Sequence, residues 1–303
     1  MLVASSKYNI LRIFSYLLVI LAFSLPFLPI GSGVKFWNLD YQLFLIFMLV
    51  VPSLLFHYPK SEYLRPVVML ASLAMFGFLQ MSCPRVPRAI EYMISALVNH
   101  RPVAMYTIKI GVFLITALLF SRYYCSWICP KGIIQEYIYR KDFKVNMPQR
   151  LDRILKKVKF VLLFALIVAT LFGDFKLFEH IGPFHILFSM SGSVIMVVWL
   201  ALWLIFSVFI ERPYCRYFCP EGALLGLINK ISMLKIRVKT GKGCNNCKKC
   251  ERECPVDAIV NEGNGCTKID DLECILCRRC ETNCKSECIN YFFGTQSKDN
   301  ESK

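Results

Sequence analysis

Cys244, Cys247, Cys250 and Cys254 form C-x2-C-x2-C-x3-C with Pro255 next, and Cys274, Cys277, Cys280 and Cys284 repeat the spacing thirty residues on. Three thiolates from one tight loop and a fourth from a distant segment can converge on an iron–sulfur cube without straining the backbone. In the two-cluster arrangement the fourth cysteine of each run serves the other cluster. This assigns Cys244, Cys247, Cys250 and Cys284 to one [4Fe-4S] cluster, and Cys274, Cys277, Cys280 and Cys254 to a second. Two structural zinc sites are the alternative, since C-x2-C pairs also bind zinc. Zinc explains neither the third cysteine of each run nor the duplication. Cys266 falls in a predicted hairpin turn and reads as a bystander. Cys288, four residues after Cys284, could compete as a ligand, but the regular spacing favours Cys284.

A second constellation lies upstream. Arg122, Tyr124, Cys125, Cys129, Pro130 and Gly132 recur as Arg212, Tyr214, Cys215, Cys219, Pro220 and Gly222, an internal repeat of R-x-Y-C-x3-C-P-x-G with a period of ninety residues. Each copy follows an apolar run. The proline restricts the cysteine before it away from helical geometry. The spacing therefore predicts each pair on the last turn of a span, with cysteines i and i+4 on one helix face. Buried cysteine packs as a small hydrophobe, which accounts for a single Cys83 but poorly for two identical pairs. Cys125, Cys129, Cys215 and Cys219 are thus candidate ligands of one further iron or iron–sulfur centre, or of another transition metal. Redox thiols or local structure are the alternatives. Arg122 and Arg212 would offset the charge of such a centre, or anchor the chain at a membrane surface.

The elements that must carry these cysteines divide the chain. It is 56% hydrophobic, yet apolar runs crowd residues 10 to 210, and ten of the fifteen cysteines fall in the polar stretch Cys244–Cys288. Six candidate spans are read at about 10–30, 41–58, 65–82, 103–121, 157–173 and 193–210. The first reads as a retained helix, being too long for a signal-peptide core and lacking a small-residue cleavage site. Fourteen Lys and Arg fall in the segments that an N-in topology places inside before Cys215, against five outside. Both termini and both cysteine pairs are therefore expected on the cytoplasmic side of an inner, multi-pass membrane. The fold class expected is an α-helical polytopic membrane domain of about six spans plus a C-terminal α+β two-cluster ferredoxin-like domain. The boundaries expected are 1–238, 239–292 and a disordered polar end, 293–303. The net charge of +15 lies mainly beside the spans and in the tail, which argues against nucleic acid. In a reducing cytosol the cysteine density points to metal rather than disulfides.

The tail resembles bacterial two-cluster ferredoxins, with "CPVDAI" at 254–259 and "IDDLEC" at 269–274 placed as in that family. "RYYCSWICP", "ERPYCRYFCPEGAL" and the two-cluster tail together resemble the NapH-type membrane ferredoxin family, to which the membrane–ferredoxin part of NosR is related. The similarity runs over about residues 100–290. It implies an integral-membrane iron–sulfur electron carrier, a quinol-dehydrogenase-type subunit that exchanges electrons between quinone and a partner redox protein. The family pattern has fewer spans before the first motif, so spans two and three depart from it.

Other readings are a membrane-anchored redox- or metal-responsive regulator, for which no output domain is visible, and a metal-handling membrane protein. The spans contain almost no acidic residues, which argues against ion passage. No catalytic residue is assigned. His57 and the group His100, His180 and His185 are predicted at opposite faces, which does not suit bis-histidine haem. His180, His185 and Glu179 read as polar residues of a wet loop, with proton acceptance from quinol as the alternative. The basic stretch Arg140–Lys159 reads as an anchor on anionic membrane lipid.

Overall fold

The computed structural model describes residues 64–79, 104–145, 147–172, 182–189, 192–238, 244, 247–261, 267–286 and 288–293. The predicted spans 10–30 and 41–58 lie outside them, as do Cys83, Cys266, His57, His100, Glu179, His180 and the polar end from 294.

Helix α1 (Arg65–Ser72) runs into a π-helical turn, Leu73–Leu79. Helix α2 (Ala104–Phe120) and the first repeat follow, the latter as α3 (Tyr123–Trp127) and α4 (Pro130–Ile138). After α5 (Gln149–Phe172) and the short α6 (Phe184–Ser189) comes α7 (Val194–Phe209). The second repeat then repeats the first as α8 (Pro213–Tyr217) and α9 (Pro220–Asn229).

The local geometry of the repeats has a sequence cause. Left-handed Ser121 (φ 62°) follows directly on α2, whereas α7 is capped by Ile210, whose backbone is extended (φ -121°, ψ 128°), and left-handed Arg212 (φ 54°) then starts α8. At Arg212 the following Pro213 disfavours the helical alternative. The first cysteine of each pair then lies in a separate five-residue helix. The second is extended, with ψ 112° at Cys129 and 110° at Cys219, and caps the next helix, whose first residue is Pro130 or Pro220. The expectation that each pair shares one face of a span's last turn is therefore corrected. The proline takes Cys129 and Cys219 out of the helix, as expected, but the chain has already left the apolar helix before the first cysteine of each pair, at Ser121 in one repeat and at Ile210 in the other.

Helices α2 and α7 fall on the predicted runs 103–121 and 193–210 but hold 17 and 16 residues. At 1.5 Å per residue each is about 25 Å long, short of a hydrocarbon core of about 30 Å. Helix α5 has 24 residues, but it begins at Gln149 rather than 157, and its first half carries Arg150, Asp152, Arg153, Lys156, Lys157 and Lys159. Among the described residues no helix is long and apolar enough to cross a membrane.

The cysteine-rich part is a small α+β unit. Strand β1 (Leu234–Val238) pairs antiparallel with β4 (Ile289–Phe293), from Leu234 opposite Phe293 to Val238 opposite Ile289. Strand β2 (Ile259–Asn261) pairs with β3 (Thr267–Ile269). Two four-residue helices, α10 (Lys249–Arg252) and α11 (Arg279–Thr282), start within the cysteine runs. Strand β1, which lies just before residue 239, is joined by its pairing with β4 to the end of the cysteine-rich stretch.

This unit is fastened to the repeats through the loop before Cys274. The buried Arg122 guanidinium donates to the carbonyl of Leu272. Asn229 donates to the carbonyls of Asp271 (2.5 Å) and Cys274 (3.1 Å). The fully buried Lys159 ammonium reaches both carboxylate oxygens of Glu273, at 2.7 and 2.6 Å. Helix α9 admits this loop only because residue 226 is glycine: a Cβ there would stand 2.6 Å from the Leu272 carbonyl oxygen. Gly226→Ala is therefore expected to destabilise the folded chain by about 1–3 kcal/mol. The check is thermal unfolding of the detergent-purified protein, where an unchanged midpoint would show that the loop moves freely off α9.

Candidate iron–sulfur centres and their connection

The two repeats face each other and brace one another through matched positions. The Arg212 guanidinium donates to the Cys125 carbonyl at 2.6 Å and lies where a Cβ on Gly132 would be 3.0 Å from it. Reciprocally, a Cβ on Gly222 would be 3.2 Å from the Arg122 guanidinium and 3.3 Å from the Cys215 carbonyl oxygen. The arginine of each repeat thus occupies the space left by the glycine of the other. Lys131 and Glu221, which hold equivalent positions in Cys-Pro-x-Gly, form a buried ion pair at 3.5 Å. Gln135 ties the halves further, accepting from the Tyr214 backbone N–H (3.0 Å) and donating to Cys215 Sγ at 3.3 Å.

This arrangement brings Cys125, Cys129, Cys215 and Cys219 into one electrostatic neighbourhood. Burial pushes the Cys125 thiol up to about 12; Arg122 opposes this, while Cys129 and Cys219 add to it. Burial also raises the Cys215 thiol well above its ordinary range, and Cys219 and Cys129 push the same way. Cys219 is raised to about 11 by burial, with Lys131 pulling it down. Its sulfur accepts the Gly222 backbone N–H at 3.4 Å, as a helix-capping acceptor would. Thiols held neutral by burial, as Cys125, Cys215 and Cys219 are, become thiolates when a bound cation offsets their charge. The donor set therefore suits a thiophilic metal or iron–sulfur centre.

In the small unit the structure sorts the eight tail cysteines into two groups. Cys254, Cys274, Cys277 and Cys280 line a small cavity walled by Ile236, Val256, Ile259, Ile269 and Ile275. Cys244, Cys247, Cys250 and Cys284 line another, and Cys288 joins them. We call these site II and site I. Lys248 and Arg278, one residue after the second cysteine of each run, both have left-handed backbone, φ 54° and 68°. A non-glycine residue held there costs about 1–3 kcal/mol, which the surroundings must offset. Both curl the loop around its cavity. In site II burial raises the Cys254 and Cys274 thiols to about 12. Cys254 Sγ accepts the Ala258 backbone N–H at 3.3 Å. Apolar walls, sulfur donors and backbone N–H groups aimed at sulfur fit an iron–sulfur cluster. Among the described residues no three His, Cys, Asp or Glu side chains close on a single metal ion.

The three cysteine groups adjoin. Cys125 packs with Cys254 and Cys274 against the cluster of Val256, Ala258, Ile275 and Cys277. Between the repeat cysteines and site II lies the Glu136 carboxylate. It accepts from Arg65 (2.8 Å), from Arg212 Nε (3.0 Å), and from Arg279 (2.7 Å), whose neighbour is Cys280. Arg279 also pairs with Glu211 at 2.5 Å. Burial opposes ionisation of Glu136, but Arg212, Arg65 and Arg279 outweigh it and hold the carboxyl down at about 2. Glu136, Lys131, Glu221, Gln135 and Arg279 were not among the residues singled out from sequence. One signal was available: Lys131 and Glu221 stand ninety residues apart, inside the repeat, with opposite charge. His185 lies on α6, away from the cysteine groups in sequence, and the other histidines are outside the described residues.

Comparison with known proteins adds the following. A family described as a 4Fe-4S binding domain matches residues 102–149 and 193–241, each match holding one R-x-Y-C-x3-C-P-x-G repeat. The uncharacterized protein MJ0750 of Methanocaldococcus jannaschii is 30% identical over 192 residues, 61% of this chain and 78% of that protein. The ferredoxin-type protein NapH of Escherichia coli is 27% identical over 192 residues, 58% of this chain and 65% of that one. The methylamine utilization ferredoxin-type protein MauN of Paracoccus denitrificans is 26% identical over 178 residues, 54% and 59% of the two chains. No solved structure matches.

Glu136 yields a direct prediction. Glu136→Gln leaves the buried Arg212 and Arg65 without their carboxylate, and breaking such a pair costs about 3–5 kcal/mol. Denaturant unfolding of the anaerobically purified variant should show a loss of that size. A loss below about 1 kcal/mol would place the carboxylate in solvent-like surroundings.

Proposed function

We propose, from the premise that this chain belongs to the NapH-type ferredoxin family, that it is a membrane-embedded relay carrying electrons between quinone and a partner redox protein. It is a ferredoxin-type 4Fe-4S electron-transfer protein, and its cofactors include two [4Fe-4S] clusters. When bound, such clusters supply one-electron transfer at potentials set by their surroundings. In this reading Cys254, Cys274, Cys277 and Cys280 hold one cluster and Cys244, Cys247, Cys250 and Cys284 the other. Cys125, Cys129, Cys215 and Cys219 hold a further iron or iron–sulfur centre.

The observation that carries the reading is the packing of Cys125 against the residues that line site II. It sets a thiol of the repeat group beside a ligand group of the ferredoxin-like unit. Arg122 and Arg212, both buried, supply fixed positive charge where thiolates gather. Apolar side chains that would face lipid support the membrane assignment: Val161, Phe164 and Phe172 on α5 and Val194, Ile195 and Ile205 on α7 are exposed. In the proposed topology the repeats and the small unit are cytoplasmic, and the basic stretch Arg140–Lys159 lies on anionic lipid.

The test is iron and acid-labile sulfide per chain in the full-length protein purified without oxygen, beside the double variant Cys125→Ser/Cys219→Ser. The two tail clusters account for about eight irons. Iron above that value, lost in the variant, is the expected result. The same variant should also lose quinol-dependent reduction of the tail clusters in anaerobic membranes, followed by electron paramagnetic resonance. Equal iron in both proteins would remove the repeat cysteines from the relay.

A further inference from the structure

The internal repeat of the tail provides its own comparison for Cys288. Shifting by thirty residues maps Cys254 onto Cys284 and Ala258 onto Cys288. In site II the residue four after the outgoing cysteine is alanine, and its backbone N–H meets the Cys254 sulfur. In site I the matching position carries a thiol, so among the described residues five thiols line that cavity and four line the other.

That fifth thiol is placed as a ligand would be. Cys284 Sγ and Cys288 Sγ are 3.3 Å apart, and both border the cavity with Cys244, Cys247 and Cys250. Cys288 is 8% exposed, and Ile289 after it is the first residue of β4, paired with Val238, so the sheet fixes its position. Cys284 instead ends the turn after α11, its backbone N–H donating to the Glu281 carbonyl at 3.1 Å.

We propose that Cys288 is an interchangeable fourth ligand of site I, able to replace Cys284 on the same iron. The exchange breaks the iron bond to Cys284 sulfur and forms one to Cys288 sulfur, and the Cys288 proton passes to Cys284. No oxidant or reductant is consumed. With Cys284 bound, the neighbouring Cys288 S–H is a hydrogen-bond donor to the ligand sulfur, an interaction that adjusts cluster potential. The proposal rests on the reading that site I holds a [4Fe-4S] cluster.

The experiment compares full-length wild type, Cys284→Ala, Cys288→Ala and the double variant, all purified anaerobically, for iron content and for the paramagnetic resonance of the dithionite-reduced protein. The site II signal reports folding in every sample. Both single variants should retain the site I signal, Cys284→Ala with altered line shape. The double variant should lose that signal and about four irons. Loss in Cys284→Ala equal to that in the double variant would overturn the proposal, as would equal loss in Cys288→Ala. Wild type already short of those irons would instead overturn the cluster reading of site I, and the exchange with it.

Discussion

One buried carboxylate holds the described structure together. Glu136 on α4 receives Arg65 from α1, Arg212 from the start of the second repeat and Arg279 from the small unit. Three cations around one anion would be untenable with a single hydrogen bond each to spare, but the guanidinium groups are shared outward. Arg212 also donates to the Cys125 carbonyl and Arg279 to Glu211. The result joins four segments distant in sequence at the point where the repeat cysteines approach site II. A buried ion pair is not by itself a source of net stability, since desolvation offsets much of the attraction. What it supplies here is register: the planar, forked guanidinium fixes direction as well as distance.

The repeats are nearly symmetric, and the departure from symmetry explains where the small unit sits. Position 136 of the first repeat corresponds to position 226 of the second. The first holds the glutamate that receives Arg212. The second holds a glycine, and through the space it leaves, the Leu272 carbonyl comes in to receive Arg122. A backbone oxygen of the ferredoxin-like unit thus stands where symmetry would have put a second carboxylate. Each arginine keeps an acceptor, and the exchange of acceptors brings the loop leading to Cys274 against the repeats.

Much of this was legible in the sequence, and the rest was hidden for identifiable reasons. The two C-x2-C-x2-C-x3-C runs stand out in the sequence, because a loop that must bend around a cluster leaves its spacing little freedom. The repeats were legible as repeats. Their break from the spans was not, since a left-handed serine or an extended isoleucine carries no compositional mark of the kind glycine does. The pairing of β1 with β4 was not legible, because Leu-Lys-Ile-Arg-Val has no cysteine and its partner lies more than fifty residues on. Glu136 was missed because its partners come from segments far apart in the chain, and no local pattern reports a long-range ion pair.

The Lys131–Glu221 pair has a consequence for how the halves recognise each other. Two copies of the first repeat set face to face would oppose lysine to lysine, and two copies of the second would oppose glutamate to glutamate, in either case burying like charges. Only the unlike pairing neutralises itself. The duplicated segments have become complementary rather than identical, so a half that strays toward the same half of another molecule meets repulsion where its own sister offers a counterion.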